Sequence, residues 1–181
     1  MYDVVALGEL LIDFTTQSTD PDGYPTMAAH PGGAPANFLA AIAKFGGKAA
    51  LLSKVGTDTF GKLLTDTLRK AGIETKGLVA SDEFFTTLAF VTLDENGDRE
   101  FAFARKPGAD TQLRFDELDL SIIDEARVFH FGTLSLTDEP ARSTTYRTVK
   151  YAKAHGKLIT FDPNLRKPLW RDLGDAKEQM L

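Results

Sequence analysis

Short, nearly uninterrupted apolar runs, separated by segments with helical periodicity, restrict this chain more than any other feature. Residues 4–7 and 11–14 flank Gly8-Glu9, and further runs occupy 49–55, 127–131 and 157–161. Strands of that composition need cover on both faces, which a parallel sheet between helices provides. Between the runs, Phe38, Ile42 and Phe45 stand at i, i+4 and i+7 ahead of a Gly46-Gly47 stop. Phe60, Leu63, Leu64 and Leu68 form a second stripe that ends at Ala71-Gly72, and residues 141–155 read as a third helix closed by Gly156. The alternation predicts a layered α/β fold with right-handed crossovers. A length of 181 residues fits one domain, or one with a small appendage, at roughly 100–200 residues per domain.

One region breaks the rhythm. Residues 86–93 and 99–105 are strand-like and are joined through Asp94-Glu95-Asn96-Gly97-Asp98; Asn-Gly between such runs is a strong hairpin signal. Residues 15–30 are polar and broken by Pro21, Gly23 and Pro25. Both stretches fit either an edge hairpin of the main sheet or a small β flap projecting from the body.

Composition removes several function classes. The absence of cysteine excludes disulfides, thiolate metal sites and cysteine nucleophiles together, and fits a reducing, cytoplasmic setting. Three scattered histidines without an H-x-x-x-H pair argue against a zinc site, and no metal-ligating residues are assigned. A net charge of −5 disfavours nucleic acid and anionic membrane as partners. No run approaches the ~20 apolar residues of a membrane span, and Met1-Tyr2-Asp3 lacks the basic start of a signal peptide. The expectation is an α/β protein that acts on a small molecule.

Five segments carry candidate chemistry. In Pro31-Gly32-Gly33-Ala34-Pro35-Ala36-Asn37, Gly32 and Gly33 let backbone approach a ligand closely, and Pro35 suits the first turn of a helix whose amides are free for an oxygen ligand. Asn37 both donates and accepts, which suits a sugar hydroxyl; a simple glycine turn before a packed helix is the competing explanation. Asp13 closes the run 8–14 and is either a two-hydroxyl acceptor or a turn cap. Gly56-Thr57-Asp58-Thr59-Phe60-Gly61-Lys62-Leu63 resembles a phosphate-binding loop, but Leu63 replaces the required hydroxyl, so Asp58 reads as a helix cap and Gly61 as a close helix contact.

Phe161-Asp162-Pro163-Asn164-Leu165-Arg166 follows the last strand-like run, where α/β sheets place ligands. Asp162 and Asn164 are candidate substrate contacts, and Arg166 is a candidate stabiliser of negative charge on a moving phosphoryl group. The alternative is a structural loop with an Asp162–Arg166 ion pair. In His130-Phe131-Gly132-Thr133, Gly132 leaves room for a ligand, whereas His130 reads as packing.

Together these segments resemble the ribokinase-like (PfkB) sugar kinases, and among them most nearly the bacterial fructokinases. The matching stretches are Gly8-Glu-Leu-Leu-Ile-Asp13-Phe, Pro31-Gly-Gly-Ala-Pro-Ala-Asn37, Lys54-Val-Gly-Thr-Asp58-Thr-Phe-Gly61, Phe131-Gly132-Thr-Leu-Ser-Leu and Asp162-Pro-Asn-Leu-Arg166 with Pro168-Leu-Trp170. They run in family order across nearly the whole chain. The resemblance implies a ribokinase-like α/β/α sandwich with a small β-sheet lid. It divides the chain into body at 1–14, lid strands at 15–30, body at 31–85, a lid hairpin at 86–106 and body at 107–181.

The same resemblance implies that Asp13, Gly33 and Asn37 bind sugar hydroxyls, that Phe103 and Arg105 of the lid touch or shield the substrate, and that the lid pairs two chains as a homodimer. The implied reaction moves the γ-phosphoryl group of ATP, with Mg²⁺, to the 6-hydroxyl of fructose. Kinases for 2-keto-3-deoxygluconate, ribose or a nucleoside are alternatives, as is a non-catalytic sugar-binding module. The family's Asp-Thr-x-Gly-Ala-Gly-Asp signature, whose last Asp is the general base, does not occur in this sequence, nor does its Asn-x-x-Glu element. The expectation is therefore the sugar half of a longer kinase, without its nucleotide-binding half and nearly inactive alone.

Overall fold

The computed structural model describes residues 1–93 and 99–180; the expected turn at 94–98 lies outside them. In chain order the elements are β1 (Tyr2–Leu7), β2 (Leu11–Thr19), β3 (Pro25–Gly32), α1 (Ala34–Lys44), β4 (Ala49–Gly56), α2 (Thr59–Lys70), β5 (Ile73–Glu74) and β6 (Leu78–Ser81). They continue with β7 (Leu88–Leu93), β8 (Arg99–Ala104), α3 (Ser121–Asp124), β9 (Ala126–Gly132), α4 (Ala141–Ala154), β10 (Leu158–Asp162) and α5 (Leu173–Met180).

The main sheet has the order β10-β9-β1-β4-β5, with β6 also beside β4, and all of its pairings are parallel. The two-residue period of a strand sorts its side chains into two layers. Val4 and Ala6 of β1, with Ala49 and Leu51 of β4, point to one side and meet Leu39 of α1 and Leu64 and Leu68 of α2. Val5, Leu7, Ala50 and Leu52 point to the other side and meet Ile122 and Ile123 of α3 and Ala152 of α4. The result is the α/β/α sandwich that the apolar runs predict. Each buried Leu in these layers contributes about 1.5–3 kcal/mol.

A second sheet, ordered β3-β2-β7-β8, stands apart from the first. Its inner pair, β2 and β7, is parallel, and its outer pairings are antiparallel. The sequence division at residue 14/15 is displaced here: β2 enters this sheet at Leu11, which pairs with Gly32, while Ile12 pairs with Leu88. The reason is the Gly8-Glu9-Leu10 link. Gly8 makes a last amide contact with Leu52 O of the main sheet at 3.2 Å, and the chain then turns out. The return passage begins at β7 only after Thr86 has been tied to the body. Its hydroxyl accepts from Gly56 N at 3.0 Å and its amide donates to Asp58 Oδ2 at 2.8 Å.

The second sheet is two-faced. Phe14 stacks on Phe90 (5.3 Å between ring centres) and meets Phe60 of α2 edge-on at 5.5 Å. The opposite face is set by register: Asp13 pairs with Ala89 and Ala89 with Phe103, so Asp13 and Phe103 share a face. At the far side of the molecule β10 is an edge strand, with Leu158 63% exposed. Among the described residues no helix is long and apolar enough to cross a membrane.

Candidate functional site

Along the chain, β1 leads by way of the second sheet to α1 and β4 on one side, and later segments reach β9 on the other. The crevice beyond the carboxyl ends of β1 and β9 is therefore a topological switch point, where open α/β sheets bind ligands. A hollow of about 150 Å³ opens there. It is lined by Glu9, by Leu11 and Asp13 of β2, by Gly33, Ala34 and Asn37 at the start of α1, by Phe101 and Phe103 of β8, and by Leu134, Asn164 and Arg166 from the loops after β9 and β10. That volume is well below the roughly 300–1,000 Å³ of drug-sized pockets; Asp13, Phe101 and Arg166 also border a wider groove of about 940 Å³ that runs along β2 and β7.

Local geometry explains how these groups meet. A Cβ on Gly32 would land on Asp13 Oδ2, so this glycine makes the space in which the carboxylate sits. Gly33 has φ +113°, and a Cβ there would strike the backbone carbonyl of Glu9; both facts require glycine at the start of α1. No side chain caps α1 locally. Instead Glu9, from across the link, accepts the Ala34 amide on Oε1 at 2.9 Å. Asp162 Oδ1 accepts the Asn164 amide at 3.1 Å, and Asn164 takes a positive φ of 26°, which Asn tolerates better than most residues. That turn brings Asn164 and Arg166 to the hollow.

Among the described residues, the side chains of Asp13, Asn37 and Arg166 make no hydrogen bond or ion pair with protein groups. Asp13 is half-buried, and burial raises its carboxyl above the ordinary range, against the pull of Arg166 and His30. Glu9 is 3% exposed, and burial pushes it up to about 7; its own amide, the Ala34 amide and Arg105 oppose that rise, and Asp110 adds to it. The Arg166 guanidinium lies 5.8 Å from the Phe101 ring centre, within reach of its π face.

The structure brings Asp13, Gly33, Asn37, Phe103, Asn164 and Arg166 together around one hollow, with Gly32 behind Asp13. It does not bring Arg105 there. The Arg105 guanidinium is buried and committed to Asp110 Oδ2 (2.9 and 2.7 Å), Thr137 Oγ1 (2.7 Å) and Leu134 O (2.8 Å). Asp110 in turn accepts from Thr87 Oγ1. Burial works against the guanidinium charge, but Asp110 raises its pKa overall. Arg105 is thus a clamp where β8 rejoins the body.

Asp162 also stays outside the lining and acts as the maker of the Asn164 turn; among the described residues it forms no ion pair with Arg166. Gly132 is buried and also stays outside the lining; a Cβ added there would make only ordinary contacts, with Asp162 O at 3.6 Å and Pro35 Cγ at 4.0 Å.

The structure adds Glu9, Leu11, Ala34, Phe101 and Leu134 to the residues expected at the site. For Glu9 the signal was available: an acid between two apolar runs is an acid about to be buried. His130 packs on Phe38 (4.3 Å between ring centres) and bonds to Thr160 Oγ1 at 3.0 Å; burial lowers its pKa, with Asp162 opposing.

The near-miss phosphate loop is closed by its own acid. Asp58 Oδ1 accepts the Phe60 and Gly61 amides at 2.9 and 3.0 Å, and a Cβ on Gly61 would collide with Gly56 O. Burial alone would raise the Asp58 pKa, but the Thr86 amide, with those of Gly61 and Phe60 and the Thr86 hydroxyl, holds it low. A wider groove of about 640 Å³ lies beyond Phe101 and Phe103, and two of its cations, Arg105 and Arg142, are occupied by internal acceptors.

The family described as pfkB family carbohydrate kinase matches residues 1–181. Probable fructokinase-3 of Arabidopsis thaliana is 44% identical over 180 residues, which is 98% of this chain and 52% of that protein. The chain thus spans about half the length of the curated relatives it matches. The solved fructokinase of Xylella fastidiosa superposes with a TM-score of 0.92 at 32% identity, covering 99% of this chain and 57% of that one. The same kind of likeness holds to the Xylella fastidiosa fructokinase solved with bound ATP: TM-score 0.91, 31% identity, 99% of this chain and 59% of that one.

Proposed function

This chain belongs to the pfkB family of carbohydrate kinases, and from that premise we propose that it is the sugar-recognising part of an ATP-dependent fructokinase. The observation that carries the reading is the convergence of Asp13, Asn37 and Arg166, three side chains with no hydrogen-bond or ion-pair partner among the described residues, on a small hollow at the switch point. Asp13 accepts from sugar hydroxyls, Asn37 both donates and accepts, and the Gly33 backbone approaches the ring closely. Phe101 and Phe103 present apolar faces to the sugar's C–H groups and, as part of the second sheet, act as a lid that keeps water from competing as phosphoryl acceptor. Arg166, beside Asp13, offsets negative charge on the phosphoryl group as it reaches the 6-hydroxyl.

The ATP in the Xylella fastidiosa fructokinase supports ATP as the phosphoryl donor. Among the described residues no group of three His, Cys, Asp or Glu side chains gathers that could hold a metal ion, and magnesium, which is commonly held by one or two carboxylates together with substrate phosphates, would come with the ATP. Phosphoryl transfer rests on positioning and electrostatics, with a general base worth about 10²–10⁴ in rate. This sequence contains no Gly-Ala-Gly-Asp run to supply that base. Alone, the chain binds sugar and transfers phosphate far more slowly than the ~1 s⁻¹ at the low end of kinase rates.

Calorimetric titration with fructose, 2-keto-3-deoxygluconate, ribose and a nucleoside tests the assignment. Fructose binding preferred over the other three supports it, and preference for any of those overturns the substrate. ATP-dependent turnover by this chain at or above the kinase range contradicts the half-site reading.

A further inference from the structure

Glu9 carries more than the cap it provides. It sits in the link between β1 and β2, and Oε1 is used by the first amide of α1. Its other oxygen, Oε2, is buried and has no hydrogen-bond partner among the described residues. The residue lines the same hollow as Asp13 and Asn37. Capping explains one oxygen only, and a serine or asparagine caps helices equally well. A buried acceptor left unpaired is costly, by about 1–3 kcal/mol and more for a charged group, so the second oxygen calls for a small donor that enters the hollow from outside.

We propose that Glu9 Oε2 is a hydroxyl-reading atom of the hollow: it accepts a hydrogen bond from a sugar hydroxyl that neither Asp13 nor Asn37 takes, and so ties the ligand to the first turn of α1. This rests on the sugar-kinase reading above. A hydroxyl donated to the carboxylate favours its ionised form. Sugar binding therefore lowers the Glu9 pKa and expels a proton where Glu9 is still partly protonated. The groups that face Glu9 are Arg105 after β8, which favours ionisation, and Asp110, which opposes it. Asp13 of β2 and Arg166 of the loop after β10 share the hollow.

The test is calorimetric titration of fructose into the wild-type chain and Glu9→Gln at about pH 6 and about pH 8, in buffers of different ionisation heat. Gln keeps a carbonyl oxygen for the Ala34 amide and loses the charge. The wild type is expected to bind about 10-fold more tightly at the higher pH and to release a proton on binding at the lower pH, and Glu9→Gln to lose about 10-fold at the higher pH and most of the pH dependence. Wild-type binding that is matched by Glu9→Gln at both pH values overturns the inference and leaves the sugar assignment intact. A wild type that binds no sugar at either pH overturns both. If Glu9→Gln does not fold, ¹³C carboxyl NMR of the wild type decides. A Glu9 titration midpoint that falls on saturation with fructose supports the role, and an unmoved midpoint contradicts it.

Discussion

The two sheets are built from similar apolar residues and use them in opposite ways. In β4, at the heart of the main sheet, every residue is buried, and Lys54 there is held by Glu117 Oε1 at 2.6 Å and Gln112 O at 3.1 Å. In β2, at the heart of the second sheet, Ile12 and Phe14 pack inward while Asp13 faces the hollow with no protein partner among the described residues. A sheet covered on both faces must satisfy its polar groups internally. A sheet covered on one face has the other free for chemistry. The fold is held by the first, and the proposed recognition site lies at the seam between the two.

The largest expected effect lies at the seam's clamp. Arg105→Leu leaves Asp110 buried and unpaired, which costs about 3–5 kcal/mol. Urea unfolding reads it, and an unchanged midpoint with lost sugar affinity would instead make Arg105 a substrate contact.

Next is the pH dependence set by Glu9. Its folded pKa of about 7 lies above its ordinary 4.5, so the folded chain holds an extra proton between these values. Stability from this group is full below about pH 4.5 and is lost as pH rises through about 7, by up to roughly 3 kcal/mol. Glu9→Gln flattens that slope in thermal melts across the range; an unchanged slope assigns it to other groups.

Asp13 sharpens the contrast from the ligand side. Burial raises its pKa, so the fold works against its charge. Asp13→Asn is expected to leave the melting temperature equal or higher at neutral pH while weakening fructose binding about 100-fold. Gly32→Ala comes last: its Cβ must displace the Asp13 carboxylate, and an expected loss of about 10-fold in affinity corresponds to about 1.4 kcal/mol. Equal affinities would mean that Asp13 does not touch the sugar.

Much of the body was legible in the sequence because β1, β4, β9 and β10 advertise themselves as apolar runs, and because α1, α2 and α4 carry both stripe and stop. Asp58 as a cap was legible for the same local reason. β3 was legible only through the family resemblance, which implies lid strands at 15–30; its polar, Pro-containing sequence shows no strand period of its own and is set by its pairing with β2. β5 and β6, of two and four residues, are too short to show a period. At the candidate site, Asp13 stood out at the end of an apolar run, Asn37 in the Gly-Gly stretch that opens a helix, and Arg166 in the loop after the last strand-like run, and the structure gathers all three around one hollow. Arg105 misled because a charge at a strand end looks like a ligand group until Asp110, which only tertiary packing brings near, is seen beside it.

The division between a folding sheet and a recognising seam is tested most directly by measuring fructose affinity and melting temperature together on Asp13→Asn and on Ile73→Val, a buried change in the main sheet. The predicted result is a crossed pattern. The first variant loses about 100-fold in affinity with its melting temperature kept, and the second loses about 0.5–1.5 kcal/mol of stability with its affinity kept. If Asp13→Asn binds fructose as the wild type does, the hollow is not the sugar site.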